Sequence, residues 1–365
     1  MLTVAPIPAI AVITSMTYDS SKVVFSLINV STLSIALTSV SLSVMTHNAQ
    51  SSPTTGLIIA GPTASGKSAA ALAAAIKFNG VIINADSMQV YREFRTLTSR
   101  PSVEDEAKVS HKLYGAFSVT ESFNVGKWRK LAIVEIKKAL DQSSLPIICG
   151  GTGLYLKALV DGLPPTPRIP TSVRAEIQER LIREGSESLY SELVARGDKM
   201  ADRLAPGDSQ RVSRALEVLV STGKSLSVWQ KMPVMGANNQ FQFKTILLDP
   251  PREELYEACG KRFQEMIKEG AVDEVRAFKD LNLGSHQPAS RILGVPEISA
   301  YLAGEHDLAD AVARAQQATR RYAKRQMTWF RNQIIPDLHI KRKYSKSICS
   351  LIFSFIIANR LTRSS

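Results

Sequence analysis

The sequence predicts an α/β fold in which a parallel sheet is flanked by helices and carries a helical insertion. Three observations lead to this prediction. Short apolar runs alternate with helix-forming stretches, glycines or prolines follow three of these runs, and a proline-rich segment at 164–170 precedes two charged, helix-forming stretches. Apolar strands that alternate with helices are typical of parallel sheets buried on both faces.

Four strands are predicted because four apolar runs have the length of a buried strand. They cover residues 57–60, 81–85, 145–149 and 244–248. Stretches rich in Ala and Lys predict helices over 68–77 and 125–140. In sheets of this kind, ligands bind beyond the carboxyl ends of the strands. The residues that follow each strand are therefore the first candidates for chemistry.

The helical insertion divides the predicted core into two parts. The first part is 56–164, the insertion is 165–205, and the second part is 206–338, which ends in a basic helix. A chain of 365 residues is long enough for one large α/β core with such an insertion.

Both ends of the chain differ from the middle. Residues 1–55 are expected to be a disordered leader or to precede the true start, for which Met45 is the candidate. The uncharged stretch 23–45 is long enough to span a bilayer, but its Ser and Thr content makes it a poor transmembrane segment. Residues 339–365 are basic and are expected to form an accessory, poorly ordered tail.

Charge and cysteine content narrow the possible partners and compartment. Lys and Arg number 45 against 33 Asp and Glu, and the net charge of +12 favours nucleic acid or an acidic membrane surface as partner. Cys149, Cys259 and Cys349 are far apart and give neither a zinc spacing nor a disulfide framework. We expect a cytoplasmic monomer without stable membrane association.

A phosphate-binding motif follows the first predicted strand. It has the pattern G-x-x-x-x-G-K-S, given by Gly61, Pro62, Thr63, Ala64, Ser65, Gly66, Lys67 and Ser68. Its backbone N–H groups and the helix that follows bind an anion, Lys67 adds a positive charge, and the Ser68 hydroxyl can ligate Mg²⁺. The motif indicates a diphosphate or triphosphate but not the molecule that carries it. The default interpretation is use of ATP or GTP, although no convincing strand with a magnesium-binding aspartate follows.

An acidic residue, Asp86, follows the second predicted strand and is expected beside the phosphate loop. Its carboxylate could ligate magnesium or accept a proton, or it could only cap the next helix. Ser87 and Gln89 are polar and could bond a base edge or face water.

Six segments in order resemble the tRNA dimethylallyltransferase family. Two are G-P-T-A-S-G-K-S at 61–68 and N-A-D-S-M-Q-V-Y at 84–91. The others are G-G-T-G-L-Y at 150–155, D-S-Q-R-V at 208–212, R-I-L-G-V-P-E at 291–297 and T-R-R-Y-A-K-R-Q-M-T-W-F-R at 319–331. The resemblance runs from about residue 56 to about residue 332 and covers neither end.

The resemblance implies transfer of a dimethylallyl group from its diphosphate to N6 of adenosine 37, next to the tRNA anticodon. The loop at 61–68 would then hold the diphosphate of dimethylallyl diphosphate, with Mg²⁺ on Ser68 and Lys67 stabilising the leaving group. Asp86 matches the general base of the family. Arg262 matches a diphosphate-binding arginine, although its local sequence also fits a solvated surface charge.

The resemblance also implies contacts with the tRNA anticodon stem-loop. The helical insertion would grip the stem, and Thr152 would lie near the extruded adenine unless it only caps a helix. The basic helix around Arg321, with Trp329 and Phe330, suits phosphates and a stacked base, but also suits a surface helix with two core aromatics. The candidate tRNA contacts are Asp86, Ser87, Met88, Gln89, Thr152, Gln210, Arg211, Val212, Ser213, Arg214, Arg291, Arg320, Lys324 and Arg325.

Three other functions are compatible with parts of the sequence. A P-loop small-molecule kinase would share the phosphate loop. A dimethylallyltransferase acting on free adenine nucleotides would share the loop and Asp86 but would not need the basic helix. A basic RNA-binding protein with a vestigial loop would need no donor.

Overall fold

A computed structural model of the chain describes residues 54–234, 241–283 and 287–361. Within these ranges the strands are β1 (Thr54–Ala60), β2 (Gly80–Asn84), β3 (His111–Lys112), β4 (Leu145–Gly150), β5 (Phe241–Leu248) and β6 (Leu338–Ile340). The helices of the first half are α1 (Lys67–Lys77), α2 (Val103–Lys108), α3 (Val125–Asp141), α4 (Gly153–Val160), α5 (Thr171–Ala195), α6 (Ser209–Thr222) and α7 (Leu226–Gln230). Those of the second half are α8 (Arg252–Lys268), α9 (Ala271–Asp280), α10 (Val295–Leu302), α11 (Leu308–Gln333) and α12 (Lys346–Ala358).

The strands form one parallel sheet in the order β3-β2-β4-β1-β5-β6. β1 lies between β4 and β5, so that Ile58 pairs with Ile148 on one side and with Thr245 on the other. The predicted parallel α/β sheet is confirmed, and all four predicted strands and both predicted helices are present. The two short edge strands, β3 and β6, were not predicted because neither exceeds three residues.

Helices cover both faces of the sheet because alternate side chains of a strand point in opposite directions. Leu57 and Ile59 of β1 share a buried cluster with α1, whereas Ile58 shares a cluster with α3 on the other face. Four alanines of α1 face the sheet, which allows this helix to approach it closely. On the other face, Trp128 of α3 is fully buried and donates its indole N–H to the Asn84 carbonyl at 2.7 Å.

The expectation of a poorly ordered C-terminal tail over 339–365 is wrong for the described residues up to 361. β6 extends the sheet beside β5, and α12 buries Ile348, Ile352 and Ile356 in the cluster that also contains α1. These isoleucines recur every four residues and therefore form one apolar stripe along the helix. The sequence interpretation considered only the length of the apolar run and missed its period.

The helical insertion is larger than predicted. α5 contains a break at Gly185, where φ is 80°, and is therefore two helical segments, as expected. Ile177 and Leu189 of α5 share a buried cluster with Val212 and Leu216 of α6. Because α6 completes this cluster, the insertion continues past the predicted boundary at residue 205.

The structure does not describe residues 1–53. Most of the predicted leader, including Met45 and the uncharged stretch 23–45, therefore lies outside the described residues. In the described part of the chain, no helix is both long enough and apolar enough to cross a membrane.

Candidate active site

The phosphate loop between β1 and α1 has the backbone of an anion-binding turn. Ala64 and Gly66 have φ angles of 63° and 86°, in the left-handed region. This conformation turns successive N–H groups toward one point. Gly61 admits no side chain, since a Cβ there would lie 2.6 Å from the Leu248 carbonyl oxygen. The loop geometry therefore depends on glycine at two positions.

The loop leaves polar groups for a ligand. α1 begins at Lys67, and among the described residues no side chain caps its first N–H groups. Ser65 is buried, and within the described ranges no group reaches its hydroxyl. A phosphate at the N-terminus of α1 would satisfy such donors and gain from the helix dipole.

Two cations lie at this loop. The Lys67 ammonium donates to the Pro62 carbonyl at 3.3 Å, and the Arg262 guanidinium on α8 donates to the Thr63 hydroxyl. Burial lowers the pKa of both Lys67 and Arg262, and the Asp86 carboxylate opposes that shift in each case. Arg262 is thus not a solvated surface charge, and the structure brings it to the loop as the resemblance implied.

Asp86 is held at the tip of β2 by its own turn. The buried Asn84 side chain accepts the Asp86 N–H at 2.7 Å, and Asp86 Oδ1 accepts the Met88 N–H at 3.0 Å. The next helix is α2, whose cap is Ser102, so the helix-cap interpretation of Asp86 is wrong. In the described part of the chain no donor bonds Asp86 Oδ2, which leaves one carboxylate oxygen for a substrate.

The turn after β4 lies between Asp86 and the phosphate loop, because β4 separates β2 from β1. Thr152 in this turn accepts the Ser87 N–H on its hydroxyl oxygen at 2.9 Å. Thr152 is the N-cap residue of α4, but its side chain makes no capping bond. Its hydroxyl therefore serves the Asp86 turn rather than the helix.

One face of α11 closes the site against the turn after β4. The Gln326 side-chain amide donates to the Gly151 carbonyl. The Trp329 ring lies so close to Gly153 that a Cβ added to this glycine would be only 2.2 Å from the ring. Burial raises the pKa of Tyr322, and the Asp86 carboxylate and the Thr152 hydroxyl both lie close enough to influence it. Tyr322 and Gln326 carried no predicted role. Their spacing of four residues, continued three residues later by Trp329, was the signal that sequence reasoning overlooked.

A basic cavity of about 600 Å³ opens where α6 meets α11. Arg211 of α6 and Arg321, Lys324 and Arg325 of α11 contribute to its lining, together with Trp329 but no carboxylate. Arg211 pairs with Asp208 at 2.8 Å, but the three cations of α11 in the lining make this cavity suited to a phosphate backbone. The structure thus brings together candidates that lie more than a hundred residues apart in the sequence.

The remaining residues of the basic helix behave differently. Arg320 is not part of the cavity lining. Its charge instead acts on Cys259 of α8, where it opposes the rise in pKa that burial causes in the thiol. Phe330 is buried in the core, so the core interpretation holds for it, whereas Trp329 is only partly buried.

Two of the candidate tRNA contacts are wrong as side-chain contacts. Val212 is fully buried in the helical cluster, and the buried Ser213 hydroxyl donates to the Ser209 carbonyl at 2.7 Å. The amphipathic face of α6 turns both of them inward. Gln89 is also occupied, because its amide donates to the Thr98 and Ser99 carbonyls.

Other candidates remain available at the surface. Gln210 and Arg291 are exposed, and Arg214 forms an ion pair with Glu217 at 3.1 Å. Met88 is partly buried against the cluster that contains α8 and α9.

A parallel sheet in this order, with a loop of this shape between its central strand and α1, defines the class of P-loop NTPase-like proteins. Comparison with known proteins narrows that class. The model of the IPP transferase family matches residues 89–333, and the chain belongs to this family.

Individual relatives agree with this assignment. The chain is 46% identical over 312 residues to a tRNA dimethylallyltransferase of Paramagnetospirillum magneticum, covering 86% of this chain and 99% of that protein. It is 46% identical over 313 residues to the tRNA dimethylallyltransferase of Rhodospirillum rubrum, covering 85% and 96%.

Solved structures show the same architecture. The full-length tRNA isopentenylpyrophosphate transferase of Bacillus halodurans superposes with a TM-score of 0.61 at 29% identity, over 85% of this chain and 97% of that one. A eukaryotic dimethylallyltransferase acting on tRNA shares the fold with a TM-score of 0.66 at 24% identity, over 85% and 81%.

Proposed function

We propose that the protein transfers the dimethylallyl group of dimethylallyl diphosphate to N6 of adenosine 37 in tRNA. The observation that carries the proposal is the position of the Asp86 carboxylate at the tip of β2. It lies close enough to the phosphate loop for its charge to raise the pKa of both Lys67 and Arg262. A base for the acceptor amine and cations for a departing diphosphate therefore belong to one site. The relatives named above as tRNA dimethylallyltransferases support the same assignment.

The donor diphosphate binds in the loop at 61–68. Its oxygens accept N–H groups at the start of α1, and Lys67 and Arg262 balance its charge. As the bond between C1 and the diphosphate oxygen breaks, the electron pair leaves with the diphosphate, and these fixed cations stabilise the developing charge. Both cations are already held at the loop, Lys67 by the Pro62 carbonyl and Arg262 by the Thr63 hydroxyl, so they need no rearrangement as the bond breaks.

Magnesium fits this site as an ion shared with the donor. Among the described residues no group of three His, Cys, Asp or Glu side chains could hold a metal alone. Mg²⁺ prefers oxygen ligands and is commonly held by one or two protein oxygens together with water and substrate phosphates. The Ser68 hydroxyl on α1 would supply the protein oxygen, and the bound ion would further neutralise the diphosphate.

Asp86 acts as the general base for the acceptor. The lone pair of N6 forms the new bond to C1, and the proton of the amine passes to the free oxygen of the Asp86 carboxylate. The Met88 N–H holds the other oxygen and so orients the group. Thr152 and Tyr322 lie beside it and border the space for the extruded adenine.

The basic cavity between α6 and α11 binds the anticodon loop. Arg211, Lys324 and Arg325 contact phosphates there, and the partly buried Trp329 offers a ring on which a base stacks. The exposed Gln210 and Arg291 and the partly buried Arg214 extend this surface, and the helical insertion contacts the anticodon stem.

Three parallel incubations of the purified protein test the proposal. Radiolabelled dimethylallyl diphosphate is supplied with bulk tRNA and Mg²⁺, with bulk tRNA without Mg²⁺, or with free AMP and Mg²⁺. A separate, fourth incubation tests γ-labelled ATP as an alternative donor. We expect label only in tRNA, in an N6-modified adenosine, and only with Mg²⁺. Label in AMP would favour an adenylate dimethylallyltransferase. Turnover of ATP without use of the isoprenoid would favour a kinase.

The protein acts in the cytoplasm as a monomer without stable membrane association. The net charge of +12 fits a polyanionic partner, which in this proposal is tRNA. Light scattering after size-exclusion chromatography tests the oligomeric state, and a dimer mass would contradict it. Fractionation of cells tests the compartment.

A further inference from the structure

Gln326 connects the two halves of the site through a single buried side chain. Its Oε1 accepts the Thr63 N–H at 2.8 Å, and its Nε2 donates to the Gly151 carbonyl at 2.8 Å. Gln326 is only 6% exposed. A side-chain amide carries a hydrogen-bond acceptor and a hydrogen-bond donor on the same carbon. Both bonds can therefore be made at once by the amide group of glutamine.

The turn after β4 is shaped to admit this side chain. A Cβ on Gly151 would lie 2.4 Å from Gln326 Nε2, and a Cβ on Gly153 would lie 2.2 Å from the Trp329 ring. Each glycine therefore makes room for one side chain of α11. The contact between α11 and this turn is close at two successive points, which fixes how far the turn stands from the helix.

The phosphate loop is fixed at the same place. Thr63 is bonded through its backbone by Gln326 on α11 and through its hydroxyl by Arg262 on α8. Ala64 packs against the cluster in which α8 and α11 meet. The first half of the loop is therefore set by two helices, whereas its second half is the start of α1.

The basic cavity belongs to the same helix. Lys324 and Arg325 line the cavity, and the next residue along α11 is Gln326. A helix is stiff over one turn, so tRNA held at the cavity and the floor of the site move together.

We propose that Gln326 is a positioning residue that sets the distance between the donor loop at Thr63 and the acceptor turn at Thr152. The proposal rests on the proposed function, because it concerns the alignment of the allylic carbon with the acceptor amine. Gln326 acts through Thr63 and Gly151 and does not touch the reacting atoms. A displacement of about 1 Å between reacting groups can lower a rate by about 100-fold, so a spacer of this kind affects turnover more than binding.

Two variants of Gln326 and one control on the same helix test the proposal. Gln326→Met keeps most of the volume and loses both bonds. Gln326→Glu keeps the acceptor for Thr63, and it regains a donor for Gly151 only when its carboxyl group is protonated. The control is Gln316→Met, since Gln316 donates to the Gly260 carbonyl at 2.9 Å and bonds neither loop.

The measurements are the single-turnover rate at saturating donor and tRNA, and the tRNA Kd. We expect Gln326→Met to lower the rate by about tenfold or more while its tRNA Kd stays within about twofold of the control. We expect the rate of Gln326→Glu, divided by that of the unmodified protein at the same pH, to rise as the pH falls.

A rate for Gln326→Met within about twofold of Gln316→Met would overturn the proposal, and so would a Gln326→Glu ratio that does not change with pH. If Gln326→Met does not fold, the pH dependence of Gln326→Glu decides alone. Absence of transfer by the unmodified protein would overturn the proposed function, and this proposal with it.

Discussion

The Ser87 N–H donates to the Thr152 hydroxyl at 2.9 Å and so joins the turn after β2 to the turn after β4. Since Asp86 directly precedes Ser87, this bond fixes the backbone that carries the proposed base. Thr152→Val has nearly the same shape but removes the acceptor. We expect it to lower kcat by about tenfold with little change in the donor KM, because orientation and not binding is lost. Thr152→Ser retains the hydroxyl and serves as control, and equal activity of the two variants would contradict the role of the bond.

The cavity cations are expected to bind tRNA through phosphates. Lys324→Ala/Arg325→Ala removes two of them and should weaken tRNA binding, with a dependence on log salt concentration that is shallower by about 0.7–0.9 per lost contact. The matched control is Lys137→Ala/Lys138→Ala, which removes two exposed cations of α3 outside the cavity lining. Filter binding at several salt concentrations measures both. An unchanged slope in the cavity variant would show that the phosphates lie elsewhere.

As the pH is raised, donor binding is expected to weaken at a lower pH than it would if Lys67 had the pKa of an exposed lysine. Burial lowers the pKa of Lys67 from its ordinary value of 10.5, so the ammonium loses its proton, and with it the charge that attracts the diphosphate, at a lower pH. The donor KM is therefore expected to rise with pH below 10.5, while the tRNA KM follows a different profile. Steady-state kinetics at a series of pH values up to 10.5 measure the donor KM and the tRNA KM. A donor KM that stays flat up to the ordinary lysine pKa would contradict the assignment of Lys67.

α12 is expected to contribute to the stability of the core. Ile352 is 1% exposed in the cluster shared with α1, whereas its neighbour Leu351 is 49% exposed. Ile352→Ala should therefore lower the free energy of unfolding by about 2–5 kcal/mol through lost burial and a cavity. Leu351→Ala should change it by less than about 1 kcal/mol, since little apolar surface is buried there. Denaturant unfolding measures both, and equal losses would mean that α12 does not pack as described.

The sequence was sufficient for the features that depend on local patterns. The central strands were predictable because each is a short apolar run of the length of a buried strand. The phosphate loop was predictable because its chemistry needs a fixed spacing of Gly61, Gly66 and Lys67. The location of Asp86 near the loop followed from the rule that ligands bind at the carboxyl ends of parallel strands.

The sequence was insufficient where packing selects the partner. Gln326 is an ordinary helical residue until its contacts with Thr63 and Gly151 are seen, since these lie 263 and 175 residues away. Val212 was assigned to tRNA by its motif, although burial of the α6 face directs it inward. The tail was misjudged because its isoleucine stripe is informative only if a sheet face is available to cover.

The general-base role of Asp86 is tested most directly by the single-turnover rate of dimethylallyl transfer with Asp86→Asn at saturating tRNA and donor. Asparagine preserves the shape and the acceptor for the Met88 N–H, but it cannot take a proton from N6. The expected result is a rate about 10²–10⁴-fold lower, with the Kd of tRNA and of donor nearly unchanged. A rate within about threefold of the unmodified protein would contradict proton transfer to Asp86.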